Sequence, residues 1–229
     1  PAFRSAVFLT AEVVELDVRQ TEDGRWVCFH DDTLDRTTDA AAVLNRKGLK
    51  PEERTLLELR RLDAGAWKEE RFAGIRIPTL DEALDAILPR ATPLIERKTG
   101  SAESLARFLR ERELLDRVVV QSFDHDFVAE FRRHAPEAAL GALGSGEMTL
   151  DQIARFEEID VDLVHWRAKD LSVETLRVLR KRGFLTMVYT VNDDVGFAGA
   201  AALGISGITT DDPNRLRGRI KAGFARRVD

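Results

Sequence analysis

The 229 residues include one cysteine, one tyrosine and only four histidines. A single thiol cannot close an internal disulfide. Cys28 also lies in an apolar run, where a free thiol behaves as a small buried hydrophobe. Both points favour a reducing compartment, and a cytoplasmic location is expected. No apolar stretch approaches the roughly 20 residues that span a bilayer, and the first residues do not read as a signal peptide. A segment removed upstream of Pro1 would lie outside that test. An excess of positive charge is also lacking: 35 Lys and Arg stand against 40 Asp and Glu, for a net charge of -5. They are interspersed, so no basic stripe exists to neutralise a phosphate backbone, which argues against nucleic acid as a partner. There is no G-x-S-x-G elbow, no Cys/His pair and no glycine-rich dinucleotide fingerprint, so acyl transfer and dinucleotide chemistry lack support.

With 44% hydrophobic and 33% charged residues, the chain suits one sizeable core, and a single domain over 1–229 is expected. From Leu94 onward, strand-like runs (PLIERK, VVVQSF, ALGALG, VDLVHW, LTMVYTV, SGITTD) alternate with helical stretches. Counted from Leu94, Val118, Ala139, Val161, Leu185 and Ser206, the runs are 24, 21, 22, 24 and 21 residues apart, the beat of repeated βα units. Leu105, Phe108, Leu109 and Leu115, like Val173, Leu176 and Leu179, repeat at helical spacing. Thr149 with Gln152, Thr79 with Glu82 and Thr55 with Glu58 have the spacing of capping boxes, and Gly183 and Gly204 sit where helices should stop.

Adding VVELDV gives seven buried parallel strands. The fold class predicted is α/β, a (β/α)8 TIM barrel, one strand short among these residues of the eight that closure needs. A doubly wound open sheet is the alternative. Residues 19–78 break the rhythm, being too long for a simple βα connection, and read as an insertion over the barrel mouth. It would contain a TEDG hairpin, a short helix opened by Thr55, and a loop around Trp67.

In VVELDV, Glu15 and Asp17 alternate with apolar neighbours, so a strand turns both to one side, about 7 Å apart. A tight TEDG hairpin would set His30 opposite Glu15 and Cys28 opposite Asp17. In PLIERK, Glu96 and Lys98 share one face and Arg97 takes the other. Charges at the end of a buried strand need partners. A polar strand face with a Glu96–Lys98 ion pair is one reading. The sharper one is an all-oxygen metal site of Glu15, Asp17 and Glu96, with Lys98 meeting an anionic substrate. Such a donor set suits Mg²⁺ or Ca²⁺ better than zinc. His165 and Trp166 read equally as mouth or core residues, His125 and His134 as solvated helix positions. Trp67, Phe72 and Ile75 read as an apolar wall or as the insertion's own core.

VVELDV, TEDG, CFHDDTLDRTT, RIPTLDEAL, LIERK, VVVQSFD, VYTVND and GITTDDP occur in this order from nearly one end to the other. In that order they resemble the glycerophosphodiester phosphodiesterase family. The resemblance implies a distorted TIM barrel whose first strand is the one missing from these residues, with an insertion after its second strand, that hydrolyses glycerophosphodiesters to sn-glycerol 3-phosphate and an alcohol. It implies a divalent cation on Glu15, Asp17 and Glu96, His30 as a catalytic histidine, and Lys98 on the substrate side. Gln121 and Tyr189 would line the substrate pocket, with Asn192 and Asp211 in supporting positions; Tyr189 stands where a tryptophan is common. The family's opening His-Arg-Gly strand is absent from these residues and would be expected roughly a dozen residues before Pro1. A phospholipase D-like relative acting on lysophospholipids or sphingomyelin, and a non-catalytic phosphodiester-binding barrel, are the competing functions.

Overall fold

The computed structural model describes residues 1–222. Its strands are β1 (Val13–Gln20), β2 (Trp26–Cys28), β3 (Thr92–Arg97), β4 (Val119–Ser122), β5 (Ala139–Gly144), β6 (Leu163–Arg167), β7 (Leu185–Tyr189) and β8 (Gly207–Ile208). Its helices are α1 (Ala2–Phe8), α2 (Ala40–Val43), α3 (Leu56–Leu59), α4 (Leu80–Ile87), α5 (Ala102–Arg110), α6 (His125–His134), α7 (Leu150–Ile159), α8 (Val173–Lys181), α9 (Asp194–Ala202) and α10 (Pro213–Ala222).

The sheet runs β2-β1-β3-β4-β5-β6-β7-β8, with every pair parallel except β1 and β2. A doubly wound sheet would reverse its strand order partway along; this one advances in a single direction, as a winding barrel does. The two ends of the described fold also meet, because Arg217 Nη1 donates to the Leu9 carbonyl, 3.3 Å away, joining α10 to the turn after α1.

Local sequence explains why the helices start where they do. Each of α4 to α9 opens with a side-chain cap, from Thr79, Ser101, Asp124, Thr149, Ser172 and Asp193 in turn. The boxes predicted at Thr55, Thr79 and Thr149 all form, each occupying two backbone N–H groups that would otherwise lack partners. Gly183 and Gly204 take positive φ after α8 and α9, as helix stops require.

The two faces of the strands do different work. Leu16, Val18, Ile95, Val120, Leu140, Val164 and Trp166 point outward into the main apolar core beneath the helices. The alternate positions line the inside, and there Asp17, Glu96, Gln121 and Gly141 are direct lateral neighbours on β1, β3, β4 and β5. Outward packing supplies the stability, which leaves the inner face able to carry polar groups.

The insertion holds a separate apolar cluster of Val27, Phe29, Leu34, Ala40, Leu49, Leu59, Leu62 and Ile77. Trp67 is outside it and half exposed. One register differs from expectation. The turn after β1 has three residues, not two: Thr21 N–H donates to the Arg25 carbonyl, and Gly24 takes φ +73°. Cys28 therefore pairs with Val18, Phe29 N–H reaches the Asp17 carbonyl, and His30 lies beyond β2 and not opposite Glu15. One extra turn residue is enough to change which side chains stand across the hairpin. Among the described residues, no helix is long and apolar enough to cross a membrane.

Candidate active site

β1 and β3 bring the three predicted carboxylates together. One oxygen each from Glu15, Asp17 and Glu96 lies within 4.8 Å of the others. Glu96 is buried, and Oε1 of Glu15 is buried with no hydrogen-bond partner among the described residues. Burial first, then repulsion from Asp17 and Glu96, pushes the Glu15 pKa up to about 9, against a smaller opposing pull from Lys98. Burial also raises that of Glu96, although the Lys98 hydrogen bond opposes it. Three crowded carboxylates under one ammonium are a donor set that a divalent cation would relieve.

The Lys98 ammonium does form the simple ion pair with Glu96, and it reaches Asp17 Oδ1 as well, at 3.1 Å. Burial disfavours this ammonium, but the contacts to Glu96 and Asp17 more than offset that and raise its pKa. Its Nζ is also 5.8 Å from the ring centre of the half-exposed Phe123, which meets Tyr189 edge-on. Lys98 thus stands between the carboxylates and an aromatic rim.

His30 projects from the loop after β2, with its side chain 71% exposed. Its Nδ1 is 2.9 Å from Asp31 Oδ1. Arg36 grips Asp31 from the other side with two hydrogen bonds of 2.7 Å, and this holds the Asp31 carboxyl below its usual range. An ionised Asp31 only accepts, so the neutral imidazole carries its proton on Nδ1 and offers Nε2 as a base. Beneath the loop runs Arg19, only 2% exposed, donating to the His30 carbonyl at 3.2 Å, to Asp32 at 2.6 Å and to Glu52 at 3.4 Å. Sequence reasoning singles out neither Arg19 nor the Asp31–Arg36 clamp, although the spacing of Asp31 and Arg36 within CFHDDTLDRTT is a signal that could find the clamp.

The remaining candidates divide. Gln121 is fully buried beside Glu96, and its Nε2 has no partner among the described residues. Tyr189 gives its hydroxyl to the Gly144 carbonyl at 2.8 Å and lays its ring against His165. Asn192 and Asp211 hydrogen-bond one another at 2.6 Å, tying the loops after β7 and β8 together. His165 is buried in a polar network on the inner face, whereas Trp166 is core and donates to the Gly146 carbonyl. His125 is not solvated: its Nε2 is 2.9 Å from the Leu143 carbonyl and its ring meets Phe156. Burial pushes the Cys28 thiol up, so it is unreactive.

Known proteins resemble this chain over most of their length. The sequence model described as the Glycerophosphoryl diester phosphodiesterase family matches residues 1–215. A glycerophosphodiester phosphodiesterase of Bacillus subtilis (strain 168) is 29% identical across 97% of this chain and 81% of its own. Another, from Caldanaerobacter subterraneus subsp. tengcongensis, is 30% identical across 97% and 91%. An Oleispira antarctica phosphodiesterase, solved in complex with the product sn-glycerol-3-phosphate, superposes with a TM-score of 0.84 at 25% identity, covering 96% of this chain and 89% of that one. With a one-directional barrel sheet and a family match over nearly its whole length, the chain belongs to the glycerophosphoryl diester phosphodiesterase family of α/β TIM-barrel hydrolases.

Proposed function

We propose that the chain hydrolyses glycerophosphodiesters to sn-glycerol 3-phosphate and an alcohol, using Mg²⁺ or Ca²⁺ held by Glu15, Asp17 and Glu96. The observation that carries this reading is the convergence of three carboxylates within 4.8 Å, one of them with a buried oxygen lacking any partner among the described residues. An orphaned buried acceptor is costly, and a hard cation satisfies it.

When bound, the cation supplies Lewis-acid polarisation of a phosphoryl oxygen and lowers the pKa of a hydroxyl held against it. The chain's own residues divide the rest. Lys98 adds positive charge for the non-bridging phosphoryl oxygens. His30, with its Nδ1 proton fixed by Asp31, moves a proton at Nε2. The bond from phosphorus to the alcohol oxygen breaks, the attacking oxygen bonds to phosphorus, and the departing alcohol leaves with a proton. The glycerol 2-hydroxyl is the attacking group in this reading; it gives up the proton that balances the one taken by the alcohol, and this displacement leaves a five-membered cyclic phosphodiester of glycerol. A water then bonds to the same phosphorus, the bond to the glycerol 2-oxygen breaks and that oxygen regains a proton, which releases sn-glycerol 3-phosphate. In the direct variant water attacks first and gives the same product in one displacement. Gln121 and Tyr189 line the glycerophosphoryl side, and Phe123 borders the leaving group.

The test is release of glycerol 3-phosphate from glycerophosphocholine with Mg²⁺ or Ca²⁺, comparing the wild type with Glu15→Gln. A loss of more than about 100-fold is expected. Equal activity in the two proteins would sink the metal assignment.

A further inference from the structure

His165 on β6 and Gln121 on β4 touch across the strand between them. Nδ1 of His165 is 2.9 Å from Oε1 of Gln121, although β5 separates their strands. The intervening lateral neighbour of Gln121 is Gly141. A Cβ there would lie 3.1 Å from the Gln121 Cβ and 3.6 Å from its Oε1, the first of these tighter than ordinary packing. Glycine at 141 thus keeps open the path along which the carboxamide leans.

The other ring nitrogen, Nε2, is 3.0 Å from the Thr209 hydroxyl. A carboxamide oxygen only accepts, so Nδ1 must carry the ring proton; Nε2 then accepts from the Thr209 O–H. His165 is 2% exposed, and its burial lowers the pKa to about 4, so the ring is neutral near neutral pH and this tautomer is fixed. With Oε1 taken by His165, the two N–H groups on Nε2 of Gln121 turn away from β6. That nitrogen is buried and has no partner among the described residues. Gln121 is the lateral neighbour of Glu96, which is the neighbour of Asp17. A buried N–H without an acceptor beside a carboxylate row calls for an oxygen brought by a ligand.

We propose that His165 is a positioning residue that locks the Gln121 carboxamide with Oε1 toward itself and Nε2 toward the carboxylate row, where Nε2 donates to a phosphoryl oxygen of the bound diester. The proposal rests on the phosphodiester reading above and assigns one of its contacts. Gln121 touches the ligand; His165 acts only through Gln121, with Thr209 holding the far side of the ring.

The experiment measures binding of sn-glycerol 3-phosphate in saturating Mg²⁺ by calorimetry, and the His165 tautomer by long-range ¹⁵N–¹H NMR. Gln121→Leu and His165→Leu are each expected to weaken product binding about tenfold, since the lost hydrogen bond is to a charged oxygen. His165→Gln restores a donor to Oε1 and is expected to retain most of the affinity, which guards against a leucine variant that folds poorly. Combining His165→Leu with Gln121→Leu should cost nothing beyond Gln121→Leu alone, while Mg²⁺ affinity stays within about twofold of wild type. The wild-type ring should show Nδ1–H, and Gln121→Leu should lose that fixed tautomer. Unchanged product affinity in folded Gln121→Leu, additive losses, or an Nε2–H ring in the wild type would each overturn the proposal alone. A wild type that neither hydrolyses the diester nor binds the product removes the reading beneath it, and the proposal with it.

Discussion

The buried guanidinium of Arg19 holds the backbone carbonyl of His30 at 3.2 Å, from the same strand that carries Glu15 and Asp17. One strand therefore sets both the carboxylates and the height of the imidazole loop. Replacing Arg19 with Met is expected to lower kcat by about tenfold or more while leaving Mg²⁺ affinity near wild type. Adding Arg19→Met to His30→Ala should cost little further, because the arginine acts through that loop. Steady-state kinetics with calorimetric Mg²⁺ titration checks both; a fall in metal affinity matching the fall in kcat contradicts it.

Asp31 fixes which nitrogen of His30 carries the proton. Asp31→Asn can present an N–H where the carboxylate accepted, inverting the tautomer, and kcat should drop by at least about tenfold. Arg36→Gln, which removes only the brace behind Asp31, should have a smaller effect of the same sign. Direct NMR observation of the His30 ring in the two variants separates tautomer loss from unfolding.

Crowding among Glu15, Asp17 and Glu96 implies that a divalent cation stabilises the fold. At a concentration near 100 times Kd, binding is worth about 2.7 kcal/mol, and the melting temperature should rise by roughly 5–10 °C for a chain of this size. In Glu15→Gln the rise should shrink or vanish, and that variant should melt at or above wild type in EDTA, since a carboxyl whose pKa rises to about 9 on folding must take up a proton near neutral pH and glutamine need not. An equal Mg²⁺-induced rise in both proteins would place the cation elsewhere.

His165 gives a pH dependence of defined sign. Burial lowers its pKa from 6.5 to about 4. Between those values the unfolded ring binds a proton and the folded ring does not, so its contribution to stability is full above 6.5 and declines as pH falls toward 4. Across that window the loss is on the order of 3 kcal/mol. Urea melts at pH 7 and pH 4.5 should show a larger decline for wild type than for His165→Gln; parallel declines would assign the acid sensitivity to other groups.

Features settled by neighbours along the chain are legible in the sequence itself. The Thr79, Thr149 and Thr55 caps each depend on a partner three residues away, and the strand beat from Leu94 to Ser206 depends on local runs. Alternation alone puts Glu15 with Asp17 and Glu96 with Lys98. The hairpin register is not legible in this way, because TEDG fits a two-residue or a three-residue turn, and a single backbone choice at Gly24 separates them. Arg19 under His30, and His165 against Gln121, are hidden for a different reason. Each contact depends on three-dimensional register among segments that no local pattern links. His125 reads as solvated only because helix spacing does not reveal that its first turn abuts the Leu143 carbonyl.

The insertion's cluster around Leu34, Leu59 and Ile77 is distinct from the core under the barrel helices. The ring centre of the half-exposed Trp67 lies 5.5 Å from the guanidinium of Arg36, which grips Asp31 beside His30, so changes on the insertion's surface reach the proposed catalytic histidine without disturbing the residues that keep the sheet wound. In the proposed reaction, the setting of the proton-carrying loop and the integrity of the sheet therefore rest on different sets of apolar contacts, and one can be retuned while the other holds still.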